Sequence, residues 1–419
     1  MNTFLDIFSI FCILIFIGLS IKDVEKGILF GFLIKPLIDT SWDISLNGFS
    51  VIEFFSIIFL FLAFNLSIKK NLFRFVPKSI LILWILAHFG ILFSFTDPVD
   101  SMKSLLKCLY LPLAFCIIPY LLTSYNNNSV KLLKYLIIGA CFSSIISILQ
   151  FIGIIGYEFE HLSKGLQRSN GFYHDMVTSR IYVLQGLVTL TYIAHSKIFN
   201  LKKIFFWGLI CVFMFSSYTL FSKAMIGLLI VTIPILLITN KIKISNIFIG
   251  IIFLVIFIYN DDKLITSTEQ LFTKEIQYNE GELTDNQQLF SGRGSIWSEF
   301  LYKFENGTSI EQFFGFGINS GLTHNEFLRI LILSGIIGLM AYTLFILSFI
   351  KNSIYFFITG NKFNFLNLFI LTILLIDSFS VVWGLYPFYI IVIVGFYQTI
   401  VLSKYENKNA TINTKIRIW

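Results

Sequence analysis

The sequence predicts an all-α, polytopic integral membrane protein of about 12 transmembrane helices, 13 at most, with one long external loop. Three observations carry that expectation. Apolar stretches of about 20 residues, enough to cross a ~30 Å hydrocarbon core, recur along the 419-residue chain. Only 13% of the residues are charged, against 56% hydrophobic and 17% aromatic, whereas a soluble domain carries about 25% charged residues. The basic residues fall in short links between the apolar stretches, the bias expected of cytoplasmic loops. A bilayer offers no water to open backbone groups, so these stretches must be helical.

In chain order, residues 4–21 form the first expected span. No basic segment precedes it and no small-residue cleavage site follows, so it reads as a retained helix and not a signal peptide. Residues 28–38 are interrupted by Lys35 and Pro36 and are too short for the core at 1.5 Å per residue, so they read as a re-entrant or interfacial piece. Spans are then expected at 51–68, 79–95, 102–122, 132–155, 181–194, 204–221, 224–239 and 244–259, and after the long loop at 327–350, 365–382 and 388–402.

The links with Lys69, Lys70, Arg74 and Lys78, with Lys131 and Lys134, with Lys197, Lys202 and Lys203, with Lys241 and Lys243, and with Lys351 and Lys362 all fall on the inner side, as does the basic tail. Two polar intervals, near 157–179 and 260–325, fall on the outer side, and the second is acidic ahead of Arg293. The chain thus divides into residues 1–259 (spans with a middle external loop), 260–326 (the long external loop) and 327–419 (the last spans and an inner tail). If 28–38 does not cross, the preferred count, there are 12 spans with both termini inside. If it does, there are 13 with the N-terminus outside.

The net charge of +7 reflects those links and does not imply nucleic acid as a partner. All five cysteines (Cys12, Cys108, Cys116, Cys141, Cys211) lie in apolar stretches without a CxxC pair, so they read as small buried apolar residues with no disulfide or metal role. There is no Walker A motif, no metal-spaced His/Cys cluster, no GxSxG and no DxD-like pair in a sugar-nucleotide context. ATP or a soluble nucleotide sugar is therefore not the expected donor, and no cofactor is expected.

The residues suited to chemistry gather in the outer loops. His324, in THNE, directly precedes an apolar helix, so Thr323 or Asn325 can cap while the imidazole faces the loop. Imidazole is the side chain whose ordinary pKa places a base near neutral pH. The plainer reading is an interfacial histidine satisfied by water. Arg168, in QRSNGFYHD, Arg180, at the start of the next helix, and Arg293, in SGRG, run against the inside bias of basic residues. Guanidinium forms bidentate bonds to phosphate that lysine cannot, and GRG lets backbone approach an anion. Each alone could instead snorkel to the interface.

Lys103 and Lys107 are four apart and share a helix face near the outer side, placed to hold a pyrophosphate or to meet headgroups; Lys223 sits at another outer helix end. Asp377 lies in an apolar run with no evident partner and is a candidate because acids in membranes are costly. His174 beside Asp175 could orient a substrate or serve only as surface.

Taken together these features resemble the O-antigen polymerase and O-antigen ligase superfamily. The matching residues are Ser222, Lys223 and Ala224 at a helix end, Ser291 to Arg293 with Trp297 in the long loop, and the Gly315–Gly317 turn. HNxxLxxLxxxGxxG follows at His324, Asn325, Leu328, Leu331, Gly335 and Gly338, with Arg168 and Gly171 in the preceding loop. One departure is Lys223, where many members carry arginine. The resemblance implies a GT-C-like, metal-independent glycosyltransferase in the bacterial cytoplasmic (inner) membrane, with its site facing the periplasm. The donor and acceptor would be undecaprenyl-diphosphate-linked oligosaccharides. A polymerase of surface-polysaccharide repeats for lipopolysaccharide is the leading expectation, and a chain-length regulator is an implied partner. The alternatives are a ligase acting on lipid A–core or protein and, in another class, a flippase for the same lipid-linked sugar. Arg168, Arg293 and Arg180 would bind the diphosphate, and His324 would activate the acceptor hydroxyl, the groups converging on one shared cavity.

Overall fold

The computed structural model describes residues 2–46, 49–93, 106, 109–123, 128–156, 168–196, 198–199, 201–239, 262–281, 289–317, 323–382, 384 and 386–409. The described chain is mostly helical. Helices α1 (Asn2–Lys22), α2 (Val24–Ile38), α3 (Val51–Lys69), α4 (Lys78–Phe93), α5 (Ile117–Thr123), α6 (Asn128–Phe151), α7 (Met176–Ser196), α8 (Lys203–Thr219) and α9 (Lys223–Thr239) come first. Three helices then form much of the long loop: α10 (Asp262–Asn279), α11 (Leu289–Glu305) and α12 (Ser309–Phe314). The chain closes with α13 (Glu326–Ile358), α14 (Asn364–Ser380) and α15 (Pro387–Asn409). Two-residue strands β1 (Ser45–Leu46) and β2 (Phe49–Ser50) pair antiparallel between α2 and α3.

Four described helices, α1, α3, α6 and α13, are long and apolar enough to cross a membrane. Side chains such as Phe4, Phe11 and Leu14 of α1 and Met340 and Leu344 of α13 face outward, as lipid-facing positions do. The expected span 244–259, Lys103, Lys107 and Cys108 lie outside the described residues.

The ends of the bundle sort by chemistry. At one end Glu25 accepts hydrogen bonds from the Tyr120 hydroxyl at 2.5 Å and from Asn128 at 3.2 Å, and lies 3.7 Å from Lys70. At that same end Gln398 donates to the Phe75 carbonyl and His195 meets Phe363. At the other, Trp42 stacks obliquely on His174, Ser169 N–H donates to Thr219, and Gly384 N–H donates to Glu326. Among the described residues, the basic links gather at the first end and the parts of the two polar loops at the second.

This sorting revises the reading of residues 28–38. Helix α2 begins beside Glu25 at the basic end and delivers Asp39 and Trp42 to the loop end, so it runs between the two ends and does not lie across one of them. Its 15 residues reach only about 22 Å, yet no lipid match is needed, because neighbouring helices cover it. Gly27 lies so close to Ser20 of α1, and Gly31 so close to Phe59 of α3, that a Cβ would stand 2.1 Å and 2.8 Å from them. Asp23 caps the helix by accepting from Glu25 and Lys26 N–H groups. Lys35, the residue that argued against a span, is paired with Asp39 in the interior.

Two smaller revisions have local causes. Cys211 is exposed and Cys141 half-buried, while Cys12 and Cys116 are buried as expected; an outward thiol is tolerated on a lipid-facing helix. Helix α13 runs to Ile358, past Lys351 where its end was expected, because Asn352 donates to the Tyr397 hydroxyl and Ser353 accepts from Asn367 inside the bundle.

Candidate functional site

The long loop is held to the bundle by backbone. Helix α13 is broken at Gly335, whose φ of +65° lies in the left-handed half of the map. The break frees the carbonyls of Ile332 and Leu333, and the Gly315–Gly317 segment fills them: Phe316 N–H donates to Ile332 O at 2.8 Å and Gly317 N–H to Leu333 O at 3.3 Å. The two chains come so close that a Cβ on Gly315 would sit 2.4 Å from the Leu333 carbonyl oxygen, and one on Gly335 would sit 2.3 Å from that of Phe313. These glycines form a clamp between loop and helix, and the clamp fixes where the next residues, 323–329, emerge.

His324 is presented by three further contacts. Asn325 accepts from Leu328 N–H and so caps α13, as one of the two anticipated caps. Thr323 is buried, donates to the Asn325 carbonyl and receives the Trp297 indole N–H at 2.6 Å. Glu326 and Arg329 form a buried bidentate pair at 3.0 and 2.5 Å, with Gly384 N–H on the same carboxylate. His324 itself takes φ +45°, a left-handed conformation uncommon outside glycine and asparagine, and its ring is exposed.

Arg293 lies inside α11 and not in an extended SGRG loop: the helix begins at Leu289 and takes in both glycines. The glycines therefore do not offer free backbone, a correction to the expectation. What places Arg293 is spacing. It stands four residues before Trp297 on one helix face, and Trp297 is anchored to the His324 turn. Arg293 has its pKa lowered by burial and then by Arg180, and His324 has its own lowered by burial and then by Arg293. Arg293 thus lies within electrostatic reach of both Arg180 and His324.

Arg180 is 2% exposed and bonds Asp377 at 2.5 Å; Asp377 also receives the Tyr389 hydroxyl. The partner that sequence could not supply for Asp377 is thus an arginine 197 positions away. One guanidinium atom, Arg180 Nε, stays buried without a partner. Replacing one member of a buried ion pair leaves the other charge uncompensated, at about 3–5 kcal/mol. Asp377→Asn is therefore expected to lower the thermal midpoint of the purified protein sharply, and Asp377→Leu combined with Arg180→Met to restore most of it; an unchanged midpoint in Asp377→Asn would contradict the pairing.

Arg168 stands at the same end, in the loop that follows α6. Burial alone lowers its pKa, and its Nε is buried without a partner. Its loop is held by Gln150 of α6, whose carboxamide accepts from Gly171 N–H at 2.8 Å and donates to Gly171 O at 2.7 Å. Next to it Asn170, 3% exposed, leaves both side-chain polar atoms unpaired. Buried polar atoms seldom lack partners, so this loop holds unused capacity for a polar ligand. Lys223 sits 5.5 Å over the ring of Phe272, where α10 lays Leu271 and Phe272 against Phe151 and Phe221.

His174 is separate again. It lines a cavity of about 460 Å³ with Asp175, Lys35, Asp39 and a set of aromatic rings. None of Arg168, Arg293 and His324 lines it. Sequence reasoning missed Glu326–Arg329 and the tyrosines Tyr386 and Tyr389; the NExxR spacing of the former was legible as an i,i+3 pair, the latter were not.

The lowered pKa of His324 has a direct consequence. The neutral, proton-accepting ring persists to a pH below the ordinary value of about 6.5, so its NMR titration midpoint should fall below that value. In Arg293→Gln the midpoint should move up, since a repelling cation is gone. A midpoint that does not respond to Arg293→Gln would separate the two side chains. No protein-family model matches the chain, and no curated protein matches it either.

Proposed function

We propose that this protein is a metal-independent membrane glycosyltransferase that joins polyprenyl-diphosphate-linked oligosaccharide repeats at the outer face of the bacterial cytoplasmic membrane. The observation that carries the reading is that Arg293, at the end opposite the described basic links, lies within electrostatic reach of both Arg180 and His324. Half-buried Arg293 feels the repulsion of Arg180, and no carboxylate among the described residues offsets it. Asp377 already balances Arg180, so the charge left for an anion to meet is that of Arg293. A diphosphate is the anion that planar, forked donors match.

In this reading Arg293 and Arg180 hold the diphosphate, with Asp377 and Tyr389 fixing the orientation of Arg180. The acceptor hydroxyl oxygen attacks the anomeric carbon while His324 takes the hydroxyl proton. The anomeric C–O bond breaks, and its electron pair goes to the diphosphate oxygen, giving polyprenyl diphosphate. The arginines speed the reaction to the extent that their bonds tighten as that charge develops. The positive-inside bias puts the Lys70 end in the cytoplasm, and with α2 crossing, the reading takes 13 spans and an outer N-terminus.

The test is incubation of purified protein with synthetic diphosphate-lipid oligosaccharide, with and without a chelator. Chain growth in both is expected; no glycosidic bond in either would end the proposal. A ligase is separated by deletion: loss of a polymerase leaves core capped with one repeat, whereas loss of a ligase leaves bare core and accumulates lipid-linked polymer. A flippase is the second reading, and the interior pairs Lys35–Asp39 and Arg180–Asp377 favour it, since buried charges mark transport paths. It would move labelled lipid across liposomes without forming a bond.

A further inference from the structure

Helix α12 (Ser309–Phe314) carries its polarity in reverse. Its polar residues are turned to the chain: Glu311 closes a capping box with Thr308, and Gln312 donates to the Phe304 and Glu305 carbonyls at the end of α11, both at 3.1 Å. Its apolar residues point away, with Ile310 73% exposed, Phe313 52% and Phe314 46%. These three stand at i, i+3 and i+4 and so share one face. A helix washed by water does the opposite, laying its apolar stripe on the protein. Helix α10 of the same long loop obeys that rule: Leu271 and Phe272 pack on Phe151 and Phe221 while Glu269 is exposed.

What meets that outward face follows from where α12 sits. The glycine clamp presses its C-terminal end on the break in α13 at Gly335. Beyond the break, the stretch Ile336–Ile358 alone reaches about 34 Å, enough for a ~30 Å hydrocarbon core. The break therefore stands at the edge of the apolar layer on the loop side, and α12 stands there with it. Ile336, Met340, Leu344 and Leu347 form an exposed stripe along α13, and the first of them follows Gly335 directly. The outward face of α12 thus takes up where the lipid-facing stripe of α13 ends.

We propose that α12 is an interfacial foot, with Ile310, Phe313 and Phe314 seated in the lipid leaflet at the loop end of the bundle. Interfacial helices bury an apolar face about 5–10 Å into the boundary between headgroups and acyl chains. Tyr302, exposed near the end of α11, supplies the amphipathic ring enriched at that boundary. The clamp joins α12 to α13, and α13 begins at the His324 turn, so the seat holds that turn at a fixed height above the leaflet. The proposal uses none of the groups assigned to glycosyl transfer and stands or falls apart from that reading. A second copy of the chain, or another protein, is the competing occupant of the face.

The test is site-specific photocrosslinking of the full-length protein in nanodiscs of phosphatidylethanolamine and phosphatidylglycerol. The variants Ile310→p-benzoylphenylalanine and Phe313→p-benzoylphenylalanine are prepared one at a time, with Glu269→p-benzoylphenylalanine as the water-facing control. Size-exclusion profiles check that each is folded. After irradiation, intact-mass spectrometry is expected to show a shift of one phospholipid mass at positions 310 and 313 and none at 269. Absence of the lipid adduct at either of the first two positions, or a lipid adduct of equal yield at 269, would overturn the seat. A crosslink from position 310 or 313 to a second copy or to a co-purified protein would overturn it too, in favour of a protein interface.

Discussion

Arg293→Gln is expected to lower kcat/KM for chain extension by about 100-fold or more, the scale seen when one preorganised donor to a developing charge is removed. The residue is half-buried on α11, on the helix face that Trp297 fastens to the His324 turn, so the backbone that carries it is held in place before any ligand arrives. Glutamine keeps two donors and much of the volume but removes the charge and the fork. Arg293→Lys restores charge without the fork and should recover only part of the loss. Rates of glycan growth on purified protein, at matched detergent and lipid, report both. If Arg293→Gln proceeds at the wild-type rate, the diphosphate is held elsewhere.

His324 needs a different partner variant. At φ +45° an alanine would add backbone strain to the loss of the ring, whereas asparagine tolerates that conformation. His324→Asn thus tests the imidazole with the turn preserved. A fall in rate of about 100- to 10,000-fold is expected for loss of a general base.

The largest effect on stability is expected from the glycine clamp. In Gly335→Ala the new methyl meets the Phe313 carbonyl oxygen at 2.3 Å, and in Gly315→Ala it meets the Leu333 carbonyl oxygen at 2.4 Å. Both glycines also have positive φ. Strained backbone costs about 1–3 kcal/mol, and forced separation of packed chain adds about 1–3 kcal/mol. The neighbours here are backbone, which cannot swing aside as a side chain would. Each variant is expected to lose much of its yield of monodisperse protein and to melt well below wild type. Gly18→Ala, where a Cβ would meet nothing within 4 Å, should behave as wild type. A clamp variant with the wild-type melting midpoint would show that loop and helix do not need this approach.

Much of the helical layout was legible because hydrophobic length is a one-dimensional signal. The starts of α3, α9, α13, α14 and α15 fall within a residue of where apolar runs begin. Helix α2 was misread for a physical reason: Lys35 and Pro36 argue against a lipid-facing span, but a helix wrapped in protein can carry a paired lysine. The SGRG segment was misread as loop because its glycines look like breakers, whereas tertiary anchoring through Trp297 keeps them helical. His324 and Arg293 were legible as candidates from residue type and position. Their meeting with Arg180, and the pairing of Arg180 with Asp377, were not, since neither follows from any local spacing. The apolar glycines Gly335 and Gly338 were visible as a pattern, but the task of Gly335, accepting the Gly315 backbone at close range, appears only in three dimensions.

A structure of the protein bound to a non-cleavable phosphonate analogue of the lipid-linked repeat addresses the account at its root. The account predicts the two phosphorus centres at the loop end, with their oxygens within hydrogen-bonding distance of Arg293 and Arg180 and the His324 ring beside the sugar they carry. Phosphorus centres found instead at the Lys70 end, or away from both arginines, would contradict it.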